Sequence, residues 1–264
     1  MNSVRVLSFN IRCEYGGDGP NGWEYRKAQV LDLLRTIDAD CIGLQEVTPM
    51  QASDLFSALT GYAVMNIGRD DGVAGEATAI LVKEDRFDFV KKGFFWCSET
   101  PEKEGSIGWD AVFPRIVVYV ILRDKHTRQE LCFINTHFDH VGKTARRESS
   151  RLLIQKAQEI AKGIPIVVVG DFNARPRTKT VRLFEENGYA EARKTVDAKK
   201  GRPKVSYHAF AYDPNRKDES FMEWIDYIFT KGMRAIAFEI IATAVDGRYP
   251  SDHFPLLATL GIED

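Results

Sequence analysis

The chain has 264 residues, enough for one large domain or two small ones, and 44% of them are apolar, with 16 Phe and 9 Tyr, so a sizeable core can form. A net charge of −2 excludes the overall basic field that holds duplex nucleic acid non-specifically, while leaving room for a small local basic patch. The four cysteines, Cys13, Cys41, Cys97 and Cys132, include no CxxC pair and read as reduced structural thiols rather than disulfides or zinc ligands.

The N-terminus runs directly into Val4–Ile11, whose alternation is that of a half-buried strand, without the apolar core of a signal peptide. No apolar stretch approaches the ~20 residues that span a bilayer. The expectation is a soluble chain, cytoplasmic by default, or secreted or periplasmic if a leader has been removed.

Arg26–Ile37 puts Val30, Leu33, Leu34 and Ile37 on one helical face. Cys41–Gln45 reads as a buried strand and Gln51–Leu59 as a short helix; Tyr62–Ile67, Ala79–Lys83 and Phe87–Phe95 read as strands. Ile116–Arg123 and Glu130–His137 form a hairpin pattern across polar Asp124–Gln129. Arg146–Lys162 is the clearest helix, stopped by Gly163. Pro165–Val169 is a strand, Thr180–Asn187 a helix, and Asp226–Thr230, Ala235–Ala244 and Leu256–Leu260 are strands. No repeat or low-complexity segment is evident, and residues 194–218 come nearest to a disordered stretch. No linker forces a division, and more than ten strands favour two stacked sheets with helices outside.

Several apolar strands end in a polar residue that a core would not choose. VRVLSF ends in Asn10, CIGLQ in Glu46, ELCFINT in His137, and PIVVVG in Asp171, with Asn173 two residues on. Strand ends are where a rigid sheet presents side chains to a shared pocket. Carboxylates with an amide oxygen suit a hard divalent cation such as Mg²⁺, and histidines exchange protons or stabilise charge near neutral pH.

Six segments in order, SFNIR (Ser8–Arg12), GLQEV (Gly43–Val47), NTHFDH (Asn135–His140), GDFNA (Gly170–Ala174), IDYIF (Ile225–Phe229) and SDHFPL (Ser251–Leu256), resemble the endonuclease/exonuclease/phosphatase superfamily, which includes deoxyribonuclease I, neutral sphingomyelinases and poly(A) deadenylases. The likeness runs from residue 4 to 260. It implies an α/β fold, a four-layer α/β/β/α sandwich of two packed mixed β-sheets flanked by helices, as one catalytic domain over residues 1–264. RDDG (Arg69–Gly72), FFWCSETP (Phe94–Pro101) and GSIGWDAVFPRI (Gly105–Ile116) resemble a bacterial and fungal branch nearer the deadenylase-like members.

Position by position, the resemblance implies metal ligation by Glu46, with Asn10 beside it as a metal or phosphate contact and Asp252 as a second metal-facing carboxylate. Asp171 would orient or deprotonate the attacking water, and Asn173 would donate to a phosphate oxygen. His137 and His253 would bracket the scissile phosphate, with Asp226 holding His253 and Glu76 orienting His137. Arg115, Asp139 and His140 are candidate substrate contacts, Arg115 because guanidinium forks match phosphate oxygens. Leu81-Val82 stands where the resemblance leads one to expect an aromatic pair.

The implied reaction is Mg²⁺-dependent hydrolysis of a phosphate ester, a phosphodiester of nucleic acid or a small molecule first, with Mn²⁺ as a substitute ion. No protein partner is implied and a monomer is expected. A sphingomyelinase-like lipid hydrolase and an inactive phosphate-binding module are the alternatives. Plainer readings stand beside each motif: GDFN as a turn, His137 as a core histidine, Ser251–His253 as a surface turn, Asp139 and His140 as loop polarity, Glu76 and Arg115 as surface ion pairs. Trp96 and Trp109 read as packing residues, His126 and His208 as surface residues, and Lys199–Lys204 as a solvated loop.

Overall fold

The computed structural model describes residues 3–196, 203–213 and 222–262. The expected Lys199–Lys204 loop falls mostly outside them. Twelve strands and five α-helices follow one another in this order: β1 (Val4–Asn10), α1 (Trp23–Ile37), β2 (Cys41–Val47), α2 (Pro49–Ala58), β3 (Tyr62–Gly68), β4 (Ala77–Lys83), β5 (Phe87–Trp96), β6 (Ile116–Asp124), β7 (Glu130–His137), α3 (Lys143–Ala161), β8 (Ile166–Asp171), α4 (Lys179–Glu186), β9 (Ala190–Glu191), α5 (Ala192–Thr195), β10 (Asp226–Lys231), β11 (Met233–Ile240) and β12 (Leu256–Ile262). They form two mixed six-stranded sheets, ordered β11-β12-β1-β2-β4-β3 and β5-β6-β7-β8-β10-β9. Apolar side chains from the facing surfaces of both sheets form the central core. A second cluster, including Leu34, Leu44, Leu55 and Leu81, seals α1 and α2 onto the first sheet. The expected sandwich of two sheets flanked by helices is the fold observed.

Register explains why the polar strand ends meet. In each sheet one central pair is parallel: β1 with β2, where Asn10 faces Gln45, and β7 with β8, where His137 faces Asp171. Parallel neighbours finish at the same edge, so Asn10 and Glu46 emerge together, as do His137 and Asp171. Strand β10 is antiparallel to β8 and pairs Asp226 with Asp171, so its first residue joins the same edge. Each parallel pair is joined by a covering helix, β1–α1–β2 and β7–α3–β8, as a parallel crossover requires.

Two helices start earlier than their periodicity suggests, at Trp23, whose indole packs into the core beneath α1, and at Lys143, where the first turn of α3 is mostly polar. Strand β11 stops at Ile240, where pairing with β12 ends at Leu256. Leu81 and Val82 lie fully within the core of β4, so the departure from the expected aromatic pair is a matter of packing.

Candidate active site

The end of β2 is bent to aim Glu46. Its register with β4 shifts between Leu44 and Val47, and Glu46 takes a left-handed backbone conformation at φ 63°. Its carboxylate accepts from Asn10 Nδ2 (2.8 Å) and from the Cys13 backbone N–H (2.9 Å). Asn10 Nδ2 also donates to Asp171 Oδ2 (3.0 Å), and its own Oδ1 accepts the Arg12 N–H (3.0 Å). Asn10 therefore spaces the two carboxylates and has its oxygen turned to the backbone. The expected role of this amide as a metal or phosphate contact would use the second lone pair of that oxygen.

Asp171 Oδ2 lies 3.6 Å from His137 Nε2 and 3.8 Å from His253 Nε2, while Oδ1 accepts the Asn173 N–H at 2.8 Å. The Asn173 side chain reaches His137 Nε2 at 3.1 Å and donates to Phe138 O at 3.0 Å, from a residue itself left-handed at φ 45°. Asp226 Oδ2 sits 2.9 Å from His253 Nδ1. Ser251 binds Asn10 O (2.7 Å) and Asp252 Oδ1 (3.2 Å), tying the Ser251–His253 turn to β1. Arg26, read from sequence only as the start of a helix, is a buried staple. Its guanidinium donates to Ile11 O (2.8 Å), Arg12 O (3.2 Å) and Pro250 O (2.7 Å), joining both sides of this corner.

A cavity of about 390 Å³ opens over these groups, lined among others by Glu46, His137, Asp171, Asn173, Asp252 and His253. Its other wall holds two guanidiniums. Arg115 is buried, donates to His140 Nδ1 (3.2 Å) and lies 3.7 Å from Asp139. Arg69 pairs with Glu76 at 2.6 Å and lies over the Phe113 ring at 4.6 Å. The Nε atoms of both arginines are buried without a hydrogen-bond partner. Arg69 was missed as a site residue because RDDG by itself carries no chemistry. Tyr207, whose ring lies 5.0 Å from His253, was missed because it falls in a segment of low pattern.

Two expectations are corrected. Glu76 meets Arg69, not His137, among the hydrogen bonds of the described residues. Asp139 is buried outside the cavity lining and accepts the N–H groups of Val112 (3.1 Å), Val141 (2.9 Å) and Gly142 (2.7 Å). It anchors the loop behind Arg115 in place of touching substrate. His140 is exposed and does line the cavity.

The electrostatics divide the titratable groups. Burial, with Asp226 close by, pushes Asp171 up to about 7. Burial alone would lower His253, but Asp226 outweighs it and raises the imidazole to about 10. Burial, then Arg115, holds His137 well below the usual histidine range. Burial opposes ionisation of Glu46, yet the nearby imidazoles and the Asn10 and Cys13 hydrogen bonds keep it below the usual carboxylate range. Burial raises Asp252. Burial and then Glu46 push the Cys13 thiol up, so this cavity-lining cysteine is no thiolate nucleophile. Among the described residues, the groups that stand close enough to share an ion are Glu46–His137–Asp171 and Asp171–Asp226–His253. Carboxylates crowded at a cavity are the donor set a divalent oxygen-seeking cation relieves, so Glu46 and Asp171 fit such a group, and Asp252 lines the same cavity.

The paired-sheet sandwich thus collects carboxylates, imidazoles and guanidiniums at its strand ends over one cavity. The chain belongs to the Endonuclease/Exonuclease/phosphatase family, which it matches over residues 7–253. An endonuclease/exonuclease/phosphatase of Bacteroides vulgatus superposes with a TM-score of 0.92 at 36% identity, covering 100% of both chains. The mannosyl-6-phosphatase of Bacteroides thetaiotaomicron VPI-5482 superposes with a TM-score of 0.89 at 34% identity over 98% of this chain and 100% of its own. A CCR4-Not complex 3'-5'-exoribonuclease subunit of Emericella nidulans is 21% identical over 99% of this chain, which spans 52% of that protein's length. The chain thus spans about half the length, or less, of the curated relatives it matches first.

Proposed function

We propose that this chain is a Mg²⁺-dependent phosphoesterase, with Mn²⁺ as a substitute ion, acting through a single catalytic domain by in-line attack of water. The observation that carries the reading is Asp171, held by Asn10 and Asn173 between His137 and His253. Glu46 and Asp252, with Asp171 beside them, would hold the ion, whose contribution when bound is to offset the charge of the phosphate oxygens. Asp171 accepts the proton of the attacking water from its position between the two imidazoles. His253, kept cationic by Asp226, donates toward charge developing on the phosphate or leaving oxygen, while Asn173 Nδ2, which donates to His137 Nε2 and Phe138 O, would exchange one of these contacts for a non-bridging oxygen when substrate enters.

Arg69 and Arg115 bring two guanidinium forks to one wall, each with a buried Nε that has no partner, and although Glu76 and Asp139 offset part of their charge these donors suit the three free oxygens of a terminal phosphate better than the two of a diester. The phosphatase named among the similar structures supports the same preference. The substrate is therefore read as a phosphomonoester, in place of the phosphodiester expected from sequence. Turnover of p-nitrophenyl phosphate should exceed that of bis-p-nitrophenyl phosphate, stop with EDTA and return with Mg²⁺. Asp171→Asn should lower kcat by roughly 10³-fold or more with little change in folding. Near-wild-type kcat in this variant would remove the role assigned to Asp171, and a faster diester reaction would reverse the monoester assignment.

A further inference from the structure

A second cavity, of about 490 Å³, adjoins the first and shares His140, Asn173 and Glu223 with it. Its lining gathers five cations, Lys143, Arg146, Arg147, Arg175 and Lys179, against a single acid, Glu223. The chain as a whole carries a net charge of −2, so this concentration is local. Three of the cations stand in the first turns of α3, at the positive end of the helix, and Lys179 opens α4 in the same position. Neither helix has an acidic residue in its first turn. Helix starts favour acidic side chains, so this arrangement costs stability by itself, and such local violations concentrate at binding sites.

The amides of the α3 start are not free to hold a ligand, since Asp110 accepts the N–H groups of Thr144 (3.2 Å) and Ala145 (2.6 Å). Any anion here is held by side chains. Lys143 and Arg146 make no carboxylate ion pair among the described residues; Arg146 donates only to the Asp139 carbonyl, at 2.8 Å. Arg147, Arg175 and Lys179 are paired with Glu148, Glu223 and Glu186, but these are exposed pairs of the kind that exchange at little cost.

We infer that this cavity is a subsite for a second anionic group, most simply a second phosphate, on the same molecule whose ester is hydrolysed next door. The inference rests on the phosphomonoesterase reading for the identity of the neighbouring site. It narrows the substrate class from phosphomonoesters in general to those carrying two phosphates, because the shared lining lets one molecule occupy both cavities.

The test compares adenosine 3′,5′-bisphosphate with adenosine 5′-monophosphate, and fructose 1,6-bisphosphate with fructose 6-phosphate, in wild type and in the double variant Lys143→Gln/Arg147→Gln. Both substituted side chains lie at the surface, so the variant is expected to fold, which circular dichroism checks. Equilibrium binding and steady-state turnover are measured separately. Each bisphosphate should bind roughly tenfold or more tightly than its partner, the preference should shrink as salt rises, and the double variant should lose most of it. Preference confined to the adenosine pair would assign the second phosphate to a nucleotide; preference in both pairs would assign it to bisphosphates at large. Equal affinities within both pairs, or a preference the double variant retains, would overturn the subsite. A binding preference without turnover would keep the subsite and remove the hydrolase reading, and turnover without preference would do the reverse.

Discussion

His208 shows how far one side chain can depart from its sequence reading. Expected at the surface, it is fully enclosed, stacked on Phe254 at 4.1 Å between ring centroids, with Tyr249 at 4.8 Å. Neither ring nitrogen has a hydrogen-bond partner. Burial pushes the imidazole down from 6.5 to about 3, so it is neutral in the fold. A folded pKa below the unfolded one means that the unfolded chain takes up the proton first, and stability is lost as pH falls from about 6.5 toward 3. At pH 5 the loss from this group is on the order of 2 kcal/mol. His208→Phe should remove that limb: urea midpoints of variant and wild type should diverge between pH 7 and 5. Parallel curves would show that this imidazole is not buried in neutral form. Glu46, Asp171 and His253 were legible because each sits in a short motif at a strand end. Arg69, Arg26 and the true partner of Glu76 were not, because an arginine's role depends on which carbonyl or carboxylate the fold carries to it.

Among the elements, β8 is the one on which the site depends most directly. Its register with β7 sets Thr136 against Gly170 and His137 against Asp171. Gly170 has φ 153°, and a Cβ there would lie 2.1 Å from the Thr136 carbonyl oxygen. The strands can approach this closely only without a side chain. Gly170→Ala should cost about 2–4 kcal/mol and, by displacing Asp171 from His137, lower kcat/KM by roughly tenfold or more. Retained stability together with unchanged kcat/KM would show that the approach is not needed. Strand and helix identities were readable from apolar periodicity, but their ends were not: α1 and α3 each begin three residues earlier than the periodicity suggests, since a single turn is too short to show a period. The capping box of Thr48 and Gln51 marks the start of α2, and Gln51 Nε2 also donates to Arg12 O (2.7 Å), bracing the chain behind Glu46.

Over the whole molecule the two sheets must be held in one relative position, because Glu46 belongs to the first and Asp171 to the second. Asn135 of β7 crosses the interface, donating to Leu44 O (2.9 Å) and Ala79 O (2.8 Å) and accepting from Gln45 Nε2 (2.7 Å). Gly43 lies where the sheets come closest; a Cβ there would lie 2.4 Å from Val169. Asn135→Ala takes a buried donor from the carbonyls of Leu44 and Ala79 and leaves Gln45 Nε2 with only Gly43 O and Ser8 Oγ, a cost of about 3 kcal/mol. The Tm should fall by roughly 6–12 °C at ~2–4 °C per kcal/mol. A fall below about 2 °C would mean that the sheets are registered by apolar packing alone. No helix among the described residues is long and apolar enough to cross a membrane.

The sequence by itself determined the family, the two-sheet sandwich and the letters of the candidate site, because periodicity and short motifs are local and survive in one dimension. Tertiary structure alone decided who meets whom: Glu76 with Arg69, Asp139 with three loop amides, Arg26 with four carbonyls, and five cations around one cavity beside the site. Even the pairings between near neighbours in sequence depend on how the loop that carries them is folded, the distant ones on sheet register and crossing, and a charge cluster drawn from α3, α4 and the loops beside them exists only once those elements are packed.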